Sequence, residues 1–157
     1  MDSGGPDAVA GSWNKLPEMP HLFTIGYGGR APAEFVALLQ RHGVRTVVDV
    51  RLRPEHSSMG AYARAKRPDR GIEALLAGGG IGYVSRVQLG NVFMDRDDWR
   101  ARYQDLLDRA GHLLVTGLDD IPGPIALLCA EKRVAECHRG LIADWLVKHG
   151  WDVTHVE

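Results

Sequence analysis

LFTIGYGGRAPAEFVALLQRHGVRTVVDVR, Leu22 to Arg51, reads as strand, helix and strand in succession. Leu22 to Gly28 is a short apolar run closed by glycines, as expected of a buried strand that ends in a turn. Pro32 then stands where a first helical turn tolerates it, and Phe35, Leu38 and Leu39 share one face of the helix. Gly43 ends that helix. Arg45 to Arg51 is β-branched in its middle, which predicts a second strand buried on both sides.

The same alternation continues outward from this unit. A short helix over 72–77 stops at Gly78-Gly79-Gly80, and Ile81 to Arg86 reads as a third strand. Trp99, Tyr103, Leu106 and Leu107 form a helical stripe, with Asp95 or Asp97 as its expected cap. Pro124 to Ala130 reads as a fourth strand, Val134 to His149 as a long helix and the closing DVTHVE as a fifth strand. Strands alternating with helices predict an α/β fold of Rossmann-like type: one open, mostly parallel five-stranded sheet with helices on both faces. The economical strand order is 3-2-1-4-5. Residues 1–20, rich in Gly, Pro, Ser and Ala, read as a flexible leader, and residues 21–157 as a single domain.

Two stretches between these elements stay irregular. Leu52 to Arg70 is polar and punctuated by proline, and a loop of that length is either functional or mobile. Its basic residues (Arg53, Arg64, Lys66, Arg67, Arg70) beside Tyr62 leave room for a phosphate backbone, but a solvated mobile loop is the preferred reading. Val87 to Asp95 reads as a second loop.

Composition narrows the function classes. The chain has 157 residues, a formal net charge of -1 and two cysteines. No global basic field draws nucleic acid to it, so such binding would need a local patch. No apolar run reaches the ~20 residues of a membrane span. MDSGGPDAVAGSW has neither the basic start nor the apolar run of a signal peptide, and two cysteines make no disulfide framework; a reducing cytoplasm is the expected location.

In open α/β sheets ligands bind beyond the carboxyl ends of the strands. Those ends carry Gly26, Tyr27 and Arg30 after the first strand, and Asp49 and Arg51 after the second. Cys129 and Glu131 follow the fourth, with Cys137, His138 and Arg139 at the start of the next helix. The amino ends carry the blander Leu22, Arg45, Ile81 and Pro124. This asymmetry predicts an anion site, with Arg30, Arg51 and Arg139 holding phosphate near Gly26 and Tyr27. Asp49 and Glu131 orient arginines or move protons, the former being preferred. Cys137, placed in a helical first turn beside His138, is a candidate nucleophile or redox thiol.

Several motifs are absent. Neither the dinucleotide fingerprint nor the P-loop occurs, and the sequence names no cofactor. The cysteine-to-arginine spacings do not fit a tyrosine-phosphatase loop. Cys129, Cys137, His138 and Glu131 offer zinc-ligand chemistry, but at no established spacing, and adjacent Cys and His on a helix diverge by about 100°. No metal is therefore expected. Cys129 reads as an apolar filler of its strand end. Any contact between Cys129 and Cys137 is expected to be proximity of two reduced thiols.

Thr24-Ile25-Gly26-Tyr27, Val48-Asp49-Val50-Arg51 with Pro54, Gly82-Tyr83, and Cys129-Ala130-Glu131 with Cys137-His138-Arg139 together resemble the bacterial and archaeal family catalogued as domain of unknown function 488. The likeness runs from about Leu22 onward and is most specific in the last block. It implies an α/β fold and a site without an assigned reaction. Members often follow the motif proline with Ser-Arg-Lys, where this chain has Glu55-His56-Ser57-Ser58.

The leading expectation is an anion-binding site, with thiol chemistry available, for a phosphate-bearing small molecule such as a nucleotide, or for a nucleic-acid end. The alternatives are a non-enzymatic nucleic-acid-binding or regulatory module, and a cysteine-based redox or metal-binding switch.

Overall fold

The computed structural model describes residues 20–157, so the leader expected over most of residues 1–20 lies outside the described residues. Five strands form one sheet, all parallel: β1 (His21–Gly26), β2 (Thr46–Asp49), β3 (Gly82–Ser85), β4 (Ile125–Cys129) and β5 (Asp152–Val156). Four α-helices connect them, α1 (Pro32–Arg41), α2 (Gly71–Gly78), α3 (Trp99–Leu114) and α4 (Arg139–Lys148). The expected α/β open sheet is present.

Its strand order is β3-β2-β4-β1-β5, which corrects the expected 3-2-1-4-5 by placing β4 between β1 and β2. A central strand must be apolar on both faces. β4 (IALLC) has no strongly polar side chain and is buried throughout, whereas β5 exposes Asp152, Thr154 and His155, which sets β4 inside and β5 at an edge in either order. Side-chain pairs hold β5 beside β1 instead of β4. Thr24 Oγ1 lies 2.7 Å from His155 Nδ1, and His21 Nδ1 lies 2.8 Å from Asp152.

Side chains alternate across the sheet and build two cores. On one face Leu22, Val48, Ile125 and Leu127 pack with Tyr103 and Leu107 of α3 and Ile142 and Leu146 of α4. On the other, Phe23, Ile25, Val47 and Leu128 pack with Phe35 and Leu39 of α1 and Ile72 and Leu76 of α2. The helix after β4 therefore covers the face opposite to the helices after β1 and β2. Where neighbouring strands send their connections to opposite faces, a crevice opens at the carboxyl ends. β4 has such a neighbour on each side.

Three local expectations are corrected. The loop from Leu52 to Arg70 is not merely solvated. Tyr62, in a 3₁₀ turn over Gly60–Tyr62, is fully buried, stacks on Tyr27 with centroids 4.4 Å apart, and donates its hydroxyl to Arg30 O at 2.7 Å. Asp98, rather than Asp95 or Asp97, occupies the cap position of α3, and its side chain bonds Arg102 instead of the helix N–H groups. The long helix expected from Val134 is a 3₁₀ turn over Val134–Glu136, a break, and then α4 from Arg139. Cys137 falls in the break, with extended backbone (φ -130°, ψ 147°), so it is not in a helical first turn.

Candidate functional site

The loops after β1 and β4 close against each other and seal one of the two gaps beside β4. Tyr27 N–H donates to Cys129 O at 3.2 Å and Gly28 N–H to Ala130 O at 2.8 Å, extending the ladder past the strand ends. A Cβ on Gly26 would fall on the Glu131 carbonyl oxygen, so glycine is required there by a backbone neighbour. Arg30 stitches the same corner, donating from Nε to Gly26 O (2.9 Å) and from Nη2 to Glu157 O (2.8 Å). Gly26 and Arg30, expected to hold ligand, thus hold protein backbone in this structure.

The opening lies on the other side of β4, toward β2. It is a cleft of about 420 Å³ whose wall includes Tyr27, Arg51, Arg53, His56, Asn91 and Glu131, with Cys129 and His138 on the wall shared with β4 and α4. Leu52, Met94 and Trp99 give it apolar surface. Of the residues marked from sequence, Tyr27, Arg51, Glu131 and His138 line it, whereas Cys137 and Arg139 do not.

At the end of β2, Asp49 is fully buried and grips Arg51 by two arms, Nε to Oδ1 at 2.9 Å and Nη2 to Oδ2 at 2.7 Å. Tyr83 of β3 donates its hydroxyl to the same carboxylate at 2.6 Å. With the Arg51 N–H also donating to Oδ1, Asp49 is saturated as an acceptor and holds the guanidinium in place. Burial first, and then the Asp49 charge, hold the Tyr83 hydroxyl far above its usual range. Burial opposes the charge on Arg51, but Asp49 outweighs it and raises the guanidinium. The Arg51 Cζ also sits 5.3 Å from the centre of the Tyr27 ring, a cation–π contact. One group is left over. Arg51 Nη1 is buried without a hydrogen-bond partner among the described residues.

After β4 the arrangement differs. Arg139 is fully buried and meets no carboxylate of the described residues at ion-pair distance; its Nη1 donates to Glu131 O at 2.7 Å and its Nη2 to Lys132 O at 3.0 Å. The guanidinium is thus a clamp on the turn that follows β4. The same Nη1 lies 2.9 Å from Cys129 Sγ, and the Arg139 backbone N–H donates to Cys137 Sγ at 3.4 Å. Burial lowers the Arg139 guanidinium, with Glu131 acting against that shift. Burial likewise raises the Glu131 carboxyl, and Arg139 counters it.

Cys129 and Cys137 are paired through their sulfurs, which replaces the expectation of two separate reduced thiols. The 3₁₀ turn folds the connection back, and the extended backbone at Cys137 aims its side chain at the end of β4. His138 caps α4 and is buried. Its Nε2 donates to Val50 O at 3.0 Å, which fixes the tautomer and leaves Nδ1 as a bare acceptor 3.6 Å from Cys137 Sγ. Burial depresses His138 to about 4, so it is neutral near pH 7.

Sequence reasoning did not single out Asn91, Met94 or Trp99 as cleft residues. Trp99 belongs to a helical stripe in the sequence and the other two to the loop from Val87 to Asp95, which carries no periodicity to show which way its side chains turn. Tyr83 was legible only as a strand residue.

A family model described as "Domain of unknown function DUF488" matches residues 31–146. No curated protein and no solved structure gives a significant match. The match spans most of the chain and includes Cys129, Glu131, Cys137, His138 and Arg139, so the chain belongs to this family.

Proposed function

We propose that this member of the DUF488 family binds a small phosphate-bearing molecule in the cleft between the ends of β2 and β4, with the Cys129 sulfur placed to act on or respond to it. The observation that carries this reading is Arg51. Two arms of its fork are fixed by Asp49, while Nη1 is buried beside the cleft with nothing to bond. A buried donor without a partner costs about 1–3 kcal/mol, and an anionic oxygen is the partner that restores it best. Arg53, His56 and Asn91 supply further donors around the same opening. Tyr27, Leu52, Met94 and Trp99 suit an apolar or planar body attached to the anion, which favours a nucleotide-like molecule over a bare phosphate.

The test is amide chemical-shift mapping of the full chain with inorganic phosphate, nucleoside monophosphates and a short oligonucleotide at two salt concentrations. Saturable shifts confined to the cleft residues are expected with a monophosphate, and R53A should weaken them without lowering the melting temperature. Shifts scattered elsewhere, or none with any of the three, would overturn the proposal. Salt-sensitive oligonucleotide binding, with no response to monophosphates, would replace it with a nucleic-acid-binding module.

A specific observation favours a second reading, a redox switch: the two sulfurs are in contact, and one of them, Cys129, lies on the cleft wall. In that reading a small disulfide oxidant accepts two electrons from the dithiol through a mixed disulfide on Cys129, the sulfur that lines the cleft. Cys137 then displaces the second thiol. Mass mapping after oxidation by glutathione disulfide should trap the glutathione adduct on Cys129 in C137S; no adduct on Cys129 rejects the switch.

A further inference from the structure

We propose that the reduced Cys129–Cys137 pair, together with the Glu131 carboxylate, is a binding site for a thiophilic divalent metal ion of the zinc class. The spacing is Cys-x-Glu with a second Cys six residues on, and it matches no common zinc motif. What assembles the set is tertiary: one sulfur at the end of β4, one in the break before α4, and a carboxylate from the turn between them. The ligand atoms of all three lie within 4.8 Å of one another.

The backbone distance favours an interposed ion. The two Cα atoms are 7.3 Å apart. A direct disulfide rarely spans more than about 7 Å without backbone movement. Two metal–sulfur bonds of about 2.3 Å each, in place of one sulfur–sulfur bond of about 2.05 Å, lengthen the path and suit the wider separation.

Charge closes as well. Two thiolates and one carboxylate carry three negative charges, and a divalent ion and the Arg139 guanidinium carry three positive ones. Arg139 already makes the contacts that outer donors make to metal-bound thiolates, from Nη1 to Cys129 at 2.9 Å and from its N–H to Cys137 at 3.4 Å. Cys129, Glu131 and His138 line the cleft, so a fourth coordination position on that side would be open to an incoming molecule, as in zinc sites that keep a position open. The objection raised from sequence, that adjacent Cys and His diverge on a helix, does not hold because Cys137 lies before the helix and its sulfur is 3.6 Å from His138 Nδ1.

Binding changes no oxidation state. Each thiol releases its proton to solvent as it exchanges it for a bond to the ion. Where the sulfurs are bonded, a phosphine first reduces them, supplying two electrons and becoming the phosphine oxide while water provides the protons.

The experiment is a titration of the phosphine-reduced, metal-stripped full chain with cadmium and with cobalt. The readouts are the thiolate-to-cadmium charge-transfer band in the ultraviolet and the visible bands of tetrahedral cobalt. One ion per chain, displaced by zinc, is expected. C129S should abolish the cadmium band. E131Q should keep that band while weakening affinity by at least about tenfold, comparable to the loss of an outer-shell partner or greater. Because Glu131 stands at the surface, E131Q tests the site even where a cysteine variant fails to fold. No band in the wild type, or affinity unchanged in E131Q, would overturn the proposal. R53A separates this site from phosphate binding, since Arg53 is not among the ligands: metal titration intact in R53A with the phosphate response lost leaves both readings standing, and loss of the metal site in R53A would overturn this one.

Discussion

The end of β2 and the turn after β4 each bury an arginine at the same edge of the sheet, and the two are satisfied in opposite ways. Among the described residues, Arg51 is neutralised by Asp49 at two oxygens and keeps one nitrogen unbonded, whereas Arg139 has no carboxylate in ion-pair contact and spends its donors on two backbone carbonyls and a sulfur. A buried charge needs either a counter-charge or several dipoles, and the two strand ends use one solution each. The difference teaches that an arginine at a ligand-binding edge is informative only once its partners are known. Arg51 has something left for a ligand. Arg139 shapes the loop that holds the sulfurs, and its remaining buried nitrogen, Nε, has no partner.

Breaking the β2 end should have the larger effect. Asp49→Ala strands the Arg51 charge and the Tyr83 hydroxyl in a dry site and should cost about 3–5 kcal/mol in urea unfolding. A loss below about 1 kcal/mol would mean that water reaches the pair.

Arg139→Met keeps much of the volume but leaves the carbonyls of Glu131 and Lys132 without their donors. The expected loss is about 2–4 kcal/mol, because the two carbonyls are part-buried and each falls in the lower half of the roughly 1–3 kcal/mol cost of an unpartnered acceptor. Arg139→Lys should recover little, because a single ammonium cannot reach both carbonyls with the geometry of a fork. Full recovery by lysine would show that charge, not the fork, is what the turn needs.

His138 sharpens the comparison through pH. Its folded value of about 4 lies below the ordinary 6.5, so from pH 6.5 down to about 4 the unfolded chain takes up a proton that the folded chain refuses. Stability from this group is complete above pH 6.5 and declines as pH falls through that window, by about 3 kcal/mol in all. Urea midpoints measured across the window for the wild type and for His138→Gln should converge as pH falls. Parallel curves would place the protonation elsewhere.

The smallest effect is expected for Tyr83→Phe, which removes one donor from a carboxylate that keeps its arginine. It should cost about 1–2 kcal/mol, less than Asp49→Ala by a clear margin. Equal losses would make Tyr83, rather than Arg51, the main support of Asp49.

By itself the sequence determined the elements and their class. Apolar β-branched runs such as Val47-Val48, the helical stripe of Phe35 and Leu39, and the glycines between them are local signals, and the structure places strands and helices accordingly. It also marked the residues that share the carboxyl edge, because parallel connection forces all strands to point the same way. Tertiary structure alone decided the rest. Strand order depended on which strand could be apolar on both faces and on pairs such as Thr24 with His155, 131 residues apart. The roles of the edge residues depended on partners equally remote in sequence: Tyr83 on Asp49, Val50 O on His138, Glu157 O on Arg30. Periodicity tells which way a side chain faces within its own element, but a hydrogen bond is made by whatever the folded chain brings within about 3 Å, and no local pattern records that.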